Sequence, residues 1–285
     1  MSVFRTHVLL PVDVGTAQAG VFEVKRRLEK ELNVRQLLGE VKVLESGTVG
    51  IVGKGVILAV YPDRMYYFNV READVPRIVD EHLLKGRVVA GLDHAAIAAG
   101  GEAPAGAKVG LTRAQRRIVL DKAWTVDPEN IDEIIAAGGY RGLERILREA
   151  LPPEAVIEEI KKSGLRGRGG AGFPTGMKWE FTRKAAGAEK YIVCNADEGE
   201  PGTFKDRLIL EGDPHRLIEA MAIAGYAIGA GRGFVYIRGE YQLSIDRLQQ
   251  AIAQARKYGL LGNDILGSGF SFELEIRKGA GAYVC

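Results

Sequence analysis

Only two cysteines, Cys194 and Cys285, occur among 285 residues, which argues against a disulfide framework and against a small secreted scaffold. Two cysteines cannot complete an iron–sulfur or zinc site by themselves. The four histidines, His7, His82, His94 and His215, show none of the short spacings of metal ligands. Long apolar runs are missing as well. The most apolar stretch, Leu217 to Gly231, is broken by Glu219 and falls short of the roughly 20 residues that span a bilayer. Met1 to Leu10 lacks the basic, apolar and small-residue succession of a signal peptide, so a cytoplasmic setting and no transmembrane segment are expected. Nor is there an excess of one charge: 39 basic side chains stand against 37 acidic ones, too even a balance to draw in nucleic acid or an anionic membrane. The expected partner is a small molecule or another protein. No internal repeat, low-complexity tract, Gly-x-Ser-x-Gly elbow or Cys/His nucleophile arrangement is present.

Glycine is what the chain has in excess. There are 37, nearly twice the usual share of about 7%, which implies many tight turns or backbone-lined sites. The length suggests about two domains. In the first hundred residues, Val8 to Leu10 reads as a strand, and Val21, Val24, Leu28 and Leu32 line one face of a helix. Val41 and Val43 mark a second strand, Val56 to Tyr61 and Met65 to Val70 a hairpin, and Val75, Ile78, Val79 and Leu83 a second helix. That order fits a thioredoxin-like module over 1–100. A Gly/Ala-rich linker is expected at 101–112, then an α/β domain over 113–285. Its helices are expected from Pro128 to Gly138, from Tyr140 to Glu149, and between Pro153 and Gly164. Strands at Tyr191 to Asn195, Gly233 to Arg238 and Phe270 to Arg277 then alternate with helices at Pro214 to Ile228 and Gln242 to Tyr258, the rhythm of a parallel sheet with ligands beyond its strand ends.

Three segments could carry chemistry. Gly167-Arg168-Gly169-Gly170-Ala171-Gly172 formally matches G-x-G-x-x-G, but a helix, not a strand, precedes it, so it is not a dinucleotide fingerprint. Gly176-Met177-Lys178-Trp179 likewise breaks the P-loop pattern. Consecutive glycines still let backbone N–H groups approach an anion, and Arg166, Arg168 and Lys178 add positive charge. A phosphate-bearing cofactor and a plain glycine turn both fit. The second segment, Cys194 to Gly202, carries Asn195, Asp197, Glu198 and Glu200 out of a strand. It suits hydrogen bonding to ribose, carboxamide or a flavin ring, or else a solvated acidic turn. Cys194, within an apolar strand, is expected to be an inert thiol. The third, Gly279-Ala280-Gly281-Ala282-Tyr283, also leaves a strand.

These motifs, Ser163 to Gly176 with Lys178-Trp179, Cys194 to Arg207, and Gly279 to Cys285, occur in an order that resembles the complex I NADH-binding flavoprotein family, which includes the diaphorase subunits of NAD-linked and bifurcating hydrogenases. The resemblance implies a thioredoxin-like module followed by a Rossmann-like FMN- and NADH-binding domain. It places Gly167, Arg168, Gly169, Gly170, Lys178, Asn195, Asp197 and Tyr283 at FMN, and Phe173, Phe181, Glu198 and Glu200 at NADH. Hydride passes from nicotinamide to flavin, a step needing no acid or base residue. Two departures follow. Where relatives hold a two-iron cluster on four cysteines, this chain has Pro11, Thr16, Thr48 and Val52, so no metal is expected on this module. The family pattern also continues past Cys285 with further flavin contacts and a cluster domain, so the α/β domain is expected to be truncated and FMN affinity weakened. Iron–sulfur clusters are expected on those further segments or on partner subunits: an electron-transfer subunit of the thioredoxin-like ferredoxin type, within a larger redox complex. The alternative is a catalytically incomplete scaffold or assembly module.

Overall fold

The computed structural model describes residues 4–12, 14–47, 53–92, 117–123 and 125–283. The expected linker at 101–112, together with Thr48, Val52, His94 and Cys285, lies outside the described residues. The chain divides into two compact α/β units, one comprising Met1–Glu133 with Arg207–Asp213, the other Ile134–Asp206 with Pro214–Cys285.

The first unit runs β1 (Thr6–Pro11), α1 (Val14–Gln18), α2 (Val21–Val34), β2 (Val41–Ser46), β3 (Leu58–Tyr61), β4 (Met65–Tyr67) and α3 (Val75–Ile78), which continues as a π-helical stretch, Val79–Leu84. The sheet order is β2-β1-β3-β4. β1 lies parallel to β2 and antiparallel to β3, and β3 is antiparallel to β4. This is the strand order and orientation of a thioredoxin-like unit. Parallel pairing of β1 with β2 demands a crossover, and α2 supplies it. Its buried stripe, Val21, Val24, Leu28 and Leu32, packs with Val8, Leu10, Leu58, Val60 and Tyr67. The other sheet face is also covered, gathering Leu9, Ile57, Tyr61, Tyr66 and Phe68. For that reason β1 is buried at every position instead of alternating.

Polar groups inside this unit are tied to specific partners. Glu133 accepts from the N–H groups of Phe4 (3.3 Å) and Asp127 (2.9 Å), and Glu211 accepts from Gly47 N–H (2.5 Å) and Arg207 Nε (3.0 Å). His82 Nε2 lies 3.1 Å from Asp63, and its Nδ1 lies 2.8 Å from the Tyr67 hydroxyl, to which Val89 N–H donates. Burial pushes the pKa of both His7 and His82 below the ordinary value, outweighing the Glu133 and Asp63 carboxylates.

The remaining elements are α4 (Ile131–Ala136), α5 (Arg141–Arg148), α6 (Pro153–Ser163), α7 (Thr175–Lys184), β5 (Tyr191–Ala196), α8 (Lys205–Gly212), α9 (Pro214–Ile228), β6 (Arg232–Ile237), α10 (Gln242–Lys257) and β7 (Glu273–Lys278). All lie wholly in the second except α4, which is divided evenly between the units at Glu133/Ile134, and α8, which from Arg207 onward groups with the first. α4 begins three residues later than the proline suggests, because Asn130 Oδ1 receives Asp132 N–H (3.1 Å) and Asp127 Oδ1 receives Glu129 N–H (2.9 Å), holding Pro128 in a turn. α6 ends at Gly164, in the left-handed conformation. The three strands pair in parallel in the order β5-β6-β7. β5 exposes Tyr191 and Val193 on one face of this sheet, as β6 does Tyr236. Glu219, the residue that interrupts the apolar stretch of α9, accepts from the backbone N–H groups of Tyr140 (2.8 Å), Gly142 (2.9 Å) and Leu143 (3.2 Å). A carboxylate there both satisfies orphan donors and faces the positive end of α5. Among the described residues no helix is long and apolar enough to cross a membrane.

Two outcomes are expected. Glu219→Ala destabilises the chain by about 1–2 kcal/mol in urea unfolding, whereas a solvated, unused carboxylate would give no change. Because the folded state withholds protons that unfolded histidines accept, stability falls as pH drops below about 6.5. NMR titration of the His7 and His82 rings checks this, and a midpoint above about 6.5 for either ring contradicts it.

Candidate functional site

The glycine-rich loop joins α6 to α7 and is closed at its base like a short hairpin. Gly167 N–H donates to Phe173 O and Thr175 N–H to Leu165 O, both at 2.9 Å. Arg166 reaches across to Gly172 O (3.0 Å). Within the loop Gly170 has φ 111° and Gly172 φ 61°, backbone states that favour residues without Cβ. Gly176 serves another purpose: a Cβ there would fall 2.6 Å from Lys161 Cγ and 2.7 Å from Lys161 N, so its absence lets α7 pack closely on α6. The helix preceding the loop confirms that this is not a strand–glycine–helix fingerprint.

The acidic loop leaves the C-terminal end of β5. Asn195 Oδ1 accepts Asp197 N–H (3.1 Å), Asp197 O accepts Gly199 N–H (3.0 Å), and Thr203 Oγ donates to Glu200 O (2.6 Å). Beside it, the loop leaving β7 brings Tyr283 to Glu200, the hydroxyl donating to Oε2 at 2.9 Å. That hydrogen bond to a carboxylate pushes the Tyr283 phenol up from its ordinary value. A side chain at Gly199 would meet the Tyr283 ring at 3.3 Å.

Together these loops enclose a cleft of about 480 Å³ lined by Arg168, Gly169, Asn195, Asp197, Glu198, Gly199, Glu200, Thr203, Lys205, Asp206, Ala282 and Tyr283, a volume within the range of small-molecule sites. Of the residues expected from the sequence, Arg168, Gly169, Asn195, Asp197, Glu198, Glu200 and Tyr283 meet here. Gly167 and Gly170 flank Gly169 on the same loop. Lys178 is exposed on α7, and Phe173 and Phe181 form an exposed pair with ring centroids 6.5 Å apart; none of these three lines the cleft. Thr203, Lys205 and Asp206 do line it and went unrecognised in the sequence, although they belong to the same strand-exit run. The expectation of a wholly solvated acidic turn is overturned at Glu198, which is 5% exposed. Its carboxylate accepts from Asp206 N–H (3.1 Å) and lies 3.3 Å from the Tyr241 hydroxyl.

The lining offers cations, Arg168 and Lys205, beside acceptors, Asn195, Asp197 and Glu200, a donor set suited to a ligand that is anionic at one end and rich in hydrogen-bonding groups elsewhere. Among the described residues no group of three or more His, Cys, Asp or Glu could hold a metal ion. Cys194, in β5, takes no part: burial, with Asp206 adding to it, pushes its thiol up to about 11.

Residues 160–285 match the family described as the Nuo51 FMN-binding domain. The NADP-reducing hydrogenase subunit HndC of Solidesulfovibrio fructosivorans is 57% identical over 171 residues, covering 60% of this chain and 34% of that one. The F 2 subunit of the NADH-quinone oxidoreductase of Rhizobium meliloti (strain 1021) is 63% identical over 150 residues, covering 53% of this chain and 35% of that one. The chain thus spans about a third of the length of the curated relatives it matches. Among solved structures, NAD+-reducing [NiFe]-hydrogenase in the H2-reduced state is similar at a TM-score of 0.47 and 26% identity, over 99% of this chain and 44% of that one.

Cys194 should be chemically silent. In a Cys285→Ser variant, alkylation by iodoacetamide at pH 8 is expected to run about two orders of magnitude slower than for a free thiol; a rate near that of free cysteine would show an activated thiolate instead.

Proposed function

We propose, for a chain that matches the Nuo51 FMN-binding domain over residues 160–285 and is similar to subunits of an NADP-reducing hydrogenase and an NADH-quinone oxidoreductase, that its second unit binds FMN and NAD(H) and is the hydride-accepting part of an NADH:acceptor oxidoreductase. The observation that carries this is the convergence of Arg168 and Gly169 with Asn195, Asp197, Glu200 and Tyr283 on one cleft. Bound FMN would supply the hydride-accepting ring, and the protein's task is positioning.

Each group then has a task that its chemistry suits. Arg168 and the backbone N–H groups of Gly169 and Gly170 receive the phosphate, since no atom within 4 Å obstructs the space a Cβ would take at either glycine, while Gly167, bonded to Phe173 O, holds the base of the loop beside it. Lys178 stands on α7, beyond the loop, as a further cation. Asn195 and Asp197 hydrogen-bond the flavin, and Tyr283, fixed by Glu200, borders it. Glu200 faces the nicotinamide end, with Glu198 behind it. Phe173 and Phe181 present two exposed rings to the adenine. No side chain needs to give or take a proton during hydride transfer.

Electrons leave for an iron–sulfur partner subunit of the thioredoxin-like ferredoxin type within a larger, cytoplasmic or membrane-peripheral complex. For the first unit we propose a scaffold or docking role. At the described positions where the resemblance places cluster cysteines, β1 ends in Pro11, and α1 carries a buried Thr16; neither residue can ligate iron.

FMN titration followed by fluorescence quenching, then anaerobic NADH, tests the reading. Saturable binding and bleaching of the bound flavin are expected. Absence of FMN binding would leave the scaffold role for the whole chain.

A further inference from the structure

We infer that Arg238 and Tyr241 are positioning residues for the acidic loop, holding Glu198 inside the protein so that Glu200, two residues further on, faces the cleft. The inference rests on the flavin and nucleotide reading of that cleft for its functional consequence, but not for its geometry.

The side chain of Glu198 is only 2% exposed, and a buried carboxylate is costly unless it is hydrogen-bonded or paired. Its partners are protein groups: Asp206 N–H at 3.1 Å, Tyr241 Oη at 3.3 Å and, further off, Lys205 Nζ at 3.8 Å. The backbone carbonyl of the same residue is held too. Arg238 Nη1 donates to it at 2.8 Å, and Tyr241 Oη lies 3.4 Å away, so one hydroxyl is shared between the carboxylate and the carbonyl. Glu198 is thus an anchor rather than a ligand group.

The anchor is set in turn by the turn after β6. Arg238 N–H donates to Ala196 O (3.3 Å) and Tyr241 N–H to Arg238 O (3.1 Å). The Arg238 guanidinium lies 5.8 Å from the centre of the Tyr241 ring and 3.3 Å from Glu240. One strand end is therefore clamped by the next. The remaining bonds around Asp197 and Gly199 run between near neighbours in the loop, so they shape it without orienting it against the sheet. Downstream of the clamp lies Glu200, whereas Asn195 upstream is held in the β5 ladder. Loosening the clamp should therefore cost nucleotide binding before it costs FMN.

Tyr241→Phe keeps the ring and removes the shared hydroxyl. Hydrogen exchange on the purified chain is expected to speed up about tenfold for amides in 197–206, with α9, α10 and the unfolding midpoint unchanged. In FMN-loaded protein, the NADH concentration for half-bleaching rises about tenfold while FMN affinity stays within about twofold. Arg238→Lys, which retains one donor, falls between wild type and Tyr241→Phe. Unchanged exchange in 197–206, or an equal acceleration across the whole unit, overturns the positioning role. Should the wild-type chain bind no FMN, the flavin reading fails and exchange alone decides the clamp. If wild type is bleached by NADH but Tyr241→Phe behaves identically, the clamp fails and the flavin reading stands.

Discussion

Parallel strand pairing is the constraint from which the rest of this structure follows. A parallel neighbour cannot be reached by a tight turn, so each such step requires a crossover, and a helix that returns the chain to the start of the sheet also covers one of its faces. In the first unit, α2 makes that return between β1 and β2. In the second, β5, β6 and β7 all run the same way, so their C-terminal ends form a single edge. The acidic loop, the Arg238–Tyr241 turn and the Gly279–Tyr283 segment leave from that edge, and two of them line the cleft. The glycine-rich loop comes from a different source, a helix–helix connection.

A second theme is the use of single carboxylates to close backbone donors far away in sequence. Glu133 does this for Phe4, Glu211 for Gly47 and Glu219 for the start of α5; over shorter spans, Glu133 also serves Asp127 and Glu198 serves Asp206. The N–H groups they serve lie at or near the ends of strands and helices, where a buried N–H without a partner is costly. A charged acceptor makes a stronger bond than a neutral one and fixes an irregular segment in one geometry. Acidic residues that look like surface decoration in the sequence are thus part of the internal wiring.

Most elements of the second unit were legible because their local signals agree with their tertiary environment. Pro153 and Gly164 bracket α6, Pro214 opens α9, β5 and β6 are short, largely apolar runs, and β7 alternates charged with apolar residues at Glu273-Leu274-Glu275-Ile276. α7 and α8 were not anticipated, since neither carries a continuous buried stripe: α7 buries only Gly176 among its ten residues. The π-helical continuation of α3 also has no sequence signature, its buried face, Val79, His82 and Leu83, being compatible with an ordinary helix.

The sequence by itself determined the α/β class, the order of the three motifs and the chemistry each could offer, because glycine, carboxylate and tyrosine bring their backbone freedom, charge and hydrogen-bonding groups wherever they stand. Only the tertiary structure decided which of those groups share a cleft and which of them are already held by protein partners. Glu198 and Glu200 are two residues apart and chemically identical, yet one is buried against Asp206 and Tyr241 while the other meets Tyr283. That difference lies in long-range contacts from β6 and β7, and burial, unlike residue type, is a property of the folded chain.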